Sequence, residues 1–206
     1  MCCILTARTV NHPVVSRLDL ENQRPLVLEG YTWEQYLSLD ELFQDSGVRV
    51  RYLDHHIEIM PPISESHEEK KSNLGRLLEA WCLDHGVEFW ARGSMTLTKL
   101  KEAGGEPDEC YHFRTKKEYP DLAIEVALTS GGLSKRAFYA KFPIPELWIW
   151  RGGALEVWVF HTESGGYDRR ETSEVLPGID LAALARCATI ERTSEAIRAF
   201  RREVAG

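Results

Sequence analysis

The chain has 206 residues, 43% of them hydrophobic and 28% charged, with a formal net charge of -7. This composition leaves room for one domain with a full core, excludes disorder over most of the length, and argues against broad nonspecific attraction to nucleic acid while allowing a local basic patch. No apolar run approaches the roughly 20 residues that span a bilayer, and the stretch MCCILTARTV lacks the apolar centre of a signal peptide, so a cytoplasmic protein with no membrane partner is expected.

Residues 1–29 show no sustained periodicity and read as an irregular arm ahead of a single domain over 30–206. In YTWEQYLSL, Thr32 followed by Gln35 is a capping box that opens a short helix. VRVRYLDHHIEIMPP holds two alternating runs about Asp54 and His55, a hairpin stopped by Pro61 and Pro62. The adjacent His55 and His56 lack the same-face spacing of a helical metal pair and belong to that turn. Ser66 with Glu69 is a second capping box, and Leu74, Leu77, Leu78, Trp81 and Cys82 then recur at helical spacing as far as Gly86. The charged beginning HEEKK reads as a solvated face, which leaves His67 a second-tier site candidate.

From residue 87 the texture changes to short runs rich in β-branched and aromatic residues: VEFWA, MTLT, ECYHF, DLAIEVAL, ELWIW and LEVWVF. A helix from about Ser134 to Phe142, ending before Pro143, interrupts them, and LAALARCA and SEAIRAFRREV close the chain as helices. Cys2, Cys3, Cys82, Cys110 and Cys187 form no C-x-x-C pair and leave one over, so reduced thiols are expected rather than a disulfide framework or a zinc cluster. With no repeat or linker, the pattern predicts one mixed α/β (α+β) domain on a central sheet, with an N-terminal helix and hairpin.

The chemistry gathers in YPDLAIEVAL. Side chains alternate along a strand, so Asp121, Ala123, Glu125 and Ala127 share one face while Leu122, Ile124, Val126 and Leu128 make the core face. Buried carboxylates are normally paired, protonated or bound to metal. The run ECYHF, preceded by Asp108, is separated from this strand by a segment short enough for a direct hairpin, and a loop centred between Lys116 and Lys117 pairs Asp108 with Glu125. Directly opposed Cβ atoms lie roughly 4.5 to 5.5 Å apart, close enough for two carboxylates to reach one divalent cation. Asp121, roughly 13 Å from Glu125 along its own strand, stays second-tier. Ion pairing of each acid to an arginine, or to a backbone cap, is the alternative. Further on, Gly131 and Gly132 permit a tight turn and Ser134 is a good N-cap, which puts Lys135 at the first helical position. The helix dipole disfavours a cation there, so Lys135 is expected to face carboxylates or phosphate, against the alternative of a solvated surface lysine.

EPDEC, YPDLAIEV, TSGG and SKRAFYAKFPIPELWIW, together with YTWEQYL, IEIMPP and SHEEKKSNLGRLL, resemble the Uma-two family of restriction-endonuclease-like proteins, in the PD-(D/E)xK nuclease superfamily. The resemblance runs from about Tyr31 to Phe160. It implies a restriction-endonuclease-like core, a mixed sheet flanked by helices, and metal-dependent phosphodiester cleavage with Mg²⁺ or Mn²⁺. The implied partner is nucleic acid, DNA first, with a homodimer if both strands are cut. On the matching positions the P-D aspartate is Asp108, the acid of the E-x-K element is Glu125, and the Val126 carbonyl is a further metal ligand. That element's lysine position holds Ala127, and its role passes to Lys135. Metal on Asp108 and Glu125 would polarise the scissile phosphate and acidify a bound water, with Lys135 orienting the water or stabilising charge on the phosphate. Two rivals stand beside this: a noncatalytic nucleic-acid or protein interaction module on the same fold, and a retaining glycosidase, which gives Lys135 no role.

Overall fold

Thr32 and Gln35 form the expected capping box: the Thr32 hydroxyl accepts from the Gln35 amide at 3.3 Å, and the Gln35 side chain accepts from the Thr32 amide at 2.8 Å. It opens α1 (Trp33–Phe43) in a computed structural model that describes residues 24–128 and 132–205. Trp33 and Tyr36 of α1 pack on Tyr52 of β2 (Arg49–Leu53). β2 turns into β3 (His56–Met60) through Asp54 and His55, both in the left-handed region at φ 43° and 66°, as a two-residue hairpin turn requires.

α2 (Glu65–Asp84) starts earlier than expected. Its N-cap is Ser64, whose hydroxyl accepts from the His67 amide at 3.3 Å, rather than Ser66. Ser64 is the first residue with a capping side chain after Pro61-Pro62, and Glu65 and Glu68 then fall in the first turn, where the helix dipole favours them. This start corrects the reading of HEEKK as wholly solvated, because it turns His67 inward and buries it. Leu74, Leu77, Leu78, Trp81 and Cys82 are buried along the inner face, and Gly86 at φ 67° stops the helix.

The strands form the expected mixed central sheet and a second, smaller sheet built on the N-terminal hairpin. The larger has the order β11-β10-β9-β8-β7-β4, from β4 (Phe89–Ala91), β7 (Glu109–Phe113), β8 (Leu122–Val126), β9 (Glu146–Arg151), β10 (Ala154–His161) and β11 (Gly166–Arg170). It is mixed, since β8 and β9 run parallel and the other neighbours antiparallel. A parallel pair needs a crossover, which α3 (Lys135–Tyr139) supplies; α3 is shorter than the helix expected over 134–142. The smaller sheet has the order β1-β3-β2-β6-β5, adding β1 (Leu26–Glu29), β5 (Leu97–Lys99) and β6 (Ala103–Gly105). Residues 26–29, assigned to the arm, therefore pair with β3. Most of that arm lies outside the described residues. α4 (Leu181–Cys187) and α5 (Thr193–Val204) close the chain as expected, and the whole is a mixed α+β fold with helices flanking both sheets.

Both faces of β8 are buried, which amends the division into a core face and an acid face. Leu122, Ile124 and Val126 join the core under α2, α4 and α5, while Ala123 packs with Phe138, Tyr139, Phe142, Leu147 and Ile149. Glu125 thus projects into a second interior, beside α3 and the smaller sheet. Cys82, Cys110 and Cys187 are free and buried, and Cys2 and Cys3 lie outside the described residues. Among the described residues no helix is long and apolar enough to cross a membrane.

Candidate active site

The two sheets, the start of α2 and the start of α3 enclose a cleft of about 450 Å³, lined among others by Arg49, Glu58, His67, Asp108, Glu125 and Lys135. The β7–β8 ladder pairs Glu109 with Ile124, Cys110 with Ala123 and Tyr111 with Leu122. This is the expected register, and Asp108, one residue before β7, continues it to the position opposite Glu125.

Each acid is tightly held. Asp108 Oδ2 accepts from the Val126 amide at 2.8 Å and lies 3.2 Å from His67 Nε2, while Oδ1 pairs with Arg49 Nη1 at 2.6 Å. His67 Nε2 is also 3.0 Å from the Val126 carbonyl, so one ring nitrogen marks the point where that carbonyl and the Asp108 carboxylate converge. Glu125 Oε1 accepts from Arg51 Nη2 at 2.7 Å and from the Tyr139 hydroxyl, and Oε2 lies 3.0 Å from Lys135 Nζ. Lys135 is indeed the first residue of α3, behind the Ser134 cap, and faces a carboxylate. The turn before it rests on Glu58, whose Oε1 accepts from the Leu133 amide at 3.0 Å. Gly132, at φ 85°, is needed there because a Cβ would collide with the Glu58 carboxylate. Gly131 lies outside the described residues.

Burial alone would raise the pKa of both acids, but their partners outweigh it. The His67 hydrogen bond and then Arg49 hold Asp108 well below the usual carboxylate range, and Arg51 and then Lys135 lower Glu125. Burial, reinforced by Glu125, pushes Tyr139 well above the ordinary phenol value, so it remains a donor. Arg51 is raised by Glu125 against the cost of its own burial and stays charged. Both acids are ion-paired and held below the ordinary carboxylate range, the opposite direction from the raised pKa of a glycosidase's general acid.

The donor chemistry of two carboxylates and a carbonyl fits a hard divalent ion, with His67 Nε2 beside the carbonyl and Asp108. The arrangement is set for protein cations, however. Glu125 is turned toward Arg51, Tyr139 and Lys135, and among the described residues no three His, Cys, Asp or Glu side chains are grouped as a metal cluster.

Asp121 is not part of the cleft. Its Oδ2 accepts from the Phe113 amide at 2.8 Å and its Oδ1 pairs with Lys117, so it braces the turn between β7 and β8. Sequence reasoning missed Arg49, Arg51, Glu58 and Tyr139. The signal for Arg51 and Glu58 was present, because a turn at Asp54-His55 makes them cross-strand partners, and they are. Arg51 Nη1 lies 3.4 Å from Glu58 Oε2, its Nη2 also donates to the Glu106 carbonyl, and its guanidinium sits 4.6 Å from the Phe138 ring centre.

A family model, Uma2, described as "Putative restriction endonuclease", matches residues 33–190, well over half of the chain and some way past Phe160. No curated protein matches the chain. The mixed α+β architecture is consistent with a restriction-endonuclease-like fold.

Proposed function

Because the chain belongs to the Uma2 family, and because Asp108, Glu125 and Lys135 meet in one cleft, we propose that it is a metal-dependent nuclease hydrolysing phosphodiester bonds, with DNA as its first substrate. The observation that carries this reading is the convergence of the Asp108 carboxylate, the Val126 carbonyl and His67 beside Glu125, with a lysine on the far side. Asp108, Glu125 and the Val126 carbonyl would hold Mg²⁺ or Mn²⁺, with His67 in the second tier. Once bound, that ion supplies Lewis-acid polarisation of the phosphate and a more acidic water.

The protein's own groups do the rest. The Val126 amide fixes the rotamer of Asp108, and Arg51 with the protonated Tyr139 fixes Glu125, so both carboxylates are held at the cleft before a substrate arrives. Lys135, anchored at the start of α3, holds its ammonium where charge develops on a phosphate oxygen. Arg136 and Arg151, which also line the cleft, offer contacts to flanking phosphates. Residues 30–206 are proposed to act as one domain, since both sheets contribute to the cleft. A homodimer is proposed for cutting both strands of a duplex, and a cytoplasmic setting on the buried free thiols.

The test is cleavage of mixed DNA and RNA substrates with Mg²⁺ or Mn²⁺, against EDTA and against Asp108→Asn. A noncatalytic nucleic-acid or protein interaction module is the second reading, favoured by the neutralisation of Asp108, Glu58 and Glu125 by protein cations. It predicts binding without cleavage in all these conditions.

A further inference from the structure

The cations around the two acids are not equally committed. Arg51 is fully buried and engages Glu125, Glu58 and the Glu106 carbonyl. Arg49, at the end of β2, keeps about a quarter of its side chain exposed (24%) in the cleft and holds Asp108 through Nη1. Its buried Nε, like that of Arg51, has no partner among the described residues, so the difference between the two lies in exposure and in the acceptors each engages. A guanidinium has five donors in a fork that matches phosphate oxygens, so much of the capacity of Arg49 is unspent.

Charge balance says when it would be used. Asp108, Glu125 and Glu58 are offset by Arg49, Arg51 and Lys135. Adding a divalent ion at Asp108 therefore leaves an uncompensated double positive charge next to Arg49, and both cations compete for the same carboxylate. An arriving phosphodiester supplies the missing negative charge and a new acceptor for Arg49.

We propose that Arg49 is an exchangeable cation that neutralises Asp108 in the free protein and passes to a nonbridging oxygen of the substrate phosphate when a divalent ion takes Asp108. Metal and phosphodiester then bind cooperatively, each strengthening the other by the same factor. The proposal rests on the metal-dependent reading of the site. It makes Arg49 a substrate-binding residue and a gate on metal entry, and it gives one side chain two effects of opposite sign.

Those opposite signs are the test. Free Mn²⁺ is followed by electron paramagnetic resonance with and without thymidine 3′,5′-bisphosphate, a monoester stand-in for the substrate phosphate whose own Mn²⁺ complex is measured without protein and subtracted, and nucleotide binding is followed by calorimetry. In the wild type the nucleotide should tighten Mn²⁺ binding by about fivefold or more. Arg49→Gln should bind Mn²⁺ alone about fivefold more tightly than wild type, bind the nucleotide about tenfold more weakly, and lose most of the coupling. Arg49→Lys, which keeps the charge and loses the fork, should leave Mn²⁺ binding near wild type while still weakening the nucleotide. If Arg49→Gln does not fold by circular dichroism, the wild-type coupling and Arg49→Lys decide. Mn²⁺ binding in a folded Arg49→Gln that is unchanged or weaker, or wild-type Mn²⁺ binding indifferent to nucleotide, overturns this proposal alone. Absence of Mn²⁺ binding under every condition overturns it together with the metal-dependent reading.

Discussion

Arg51 of the smaller sheet and Glu125 of the larger one form an ion pair at 2.7 Å with essentially no solvent exposure on either side. The pair links the two sheets directly, and each charge is the main electrostatic support of the other. Removing one partner leaves a buried charge unbalanced, which typically costs about 3–5 kcal/mol. Arg51→Met should therefore lower the urea-unfolding free energy by an amount of that order. In the Arg51→Met, Glu125→Gln double variant part of the loss should return, because the orphaned carboxylate is gone. A double-mutant cycle showing simple additivity would mean that the pair does not act as a unit.

Metal binding should depend on both acids of the cleft. Asp108→Asn and Glu125→Gln should each weaken Mn²⁺ binding, while Asp121→Asn should leave it unchanged and instead loosen the β7–β8 turn by about 1 kcal/mol. Asp108 and Glu125 are also ion-paired, so thermal melts must accompany these titrations. A larger loss of Mn²⁺ affinity from the Asp121 variant than from the other two would reassign the site.

Lys135 separates chemistry from binding. If its ammonium acts on charge developing at the phosphate, Lys135→Ala should reduce kcat by roughly 10² to 10³ with little change in substrate or metal affinity. A phosphate anchor would instead raise KM and flatten the salt dependence of binding. Equal turnover by variant and wild type at saturating substrate would remove Lys135 from the mechanism.

Acid should destabilise the fold through the same pair of carboxylates. The folded-state pKa values of Asp108 and Glu125 are both lowered. Their stabilisation is thus fully present above the unfolded values near about 4 and is lost as pH falls below them. Urea midpoints should decline below about pH 4, and more gently in Asp108→Asn, which has one fewer group to protonate. A wild-type midpoint that held steady through this range would contradict the assigned directions.

The hairpin arithmetic placed Asp108 opposite Glu125 in the register the β7–β8 ladder has, although β8 begins only at Leu122 and the connection is longer than the one assumed. The same arithmetic places Arg51 against Glu58, yet Arg51 reads locally as an exposed strand residue until its neighbours are known. Nothing near position 51 indicates that a carboxylate 74 residues away will meet it. β6 escaped notice because Ala103-Gly104-Gly105 carries no β-forming side chain; it pairs through backbone alone, with Tyr36 lying against Gly104 where a Cβ would not fit. The burial of His67 was not legible because its orientation depends on which serine caps α2, and both Ser64 and Ser66 are suitable caps by type.

The joining of Arg51 to Glu125 has a kinetic consequence. The hairpin that carries Arg51 and Glu58 closes locally, and so does the β7–β8 ladder beside Glu125, whereas the bond between them requires closure of a long chain segment. During refolding, secondary structure should therefore recover before the cleft does. Mn²⁺ and nucleotide binding would be among the last properties regained, and a protein halted partway would carry both half-sites while binding neither ligand.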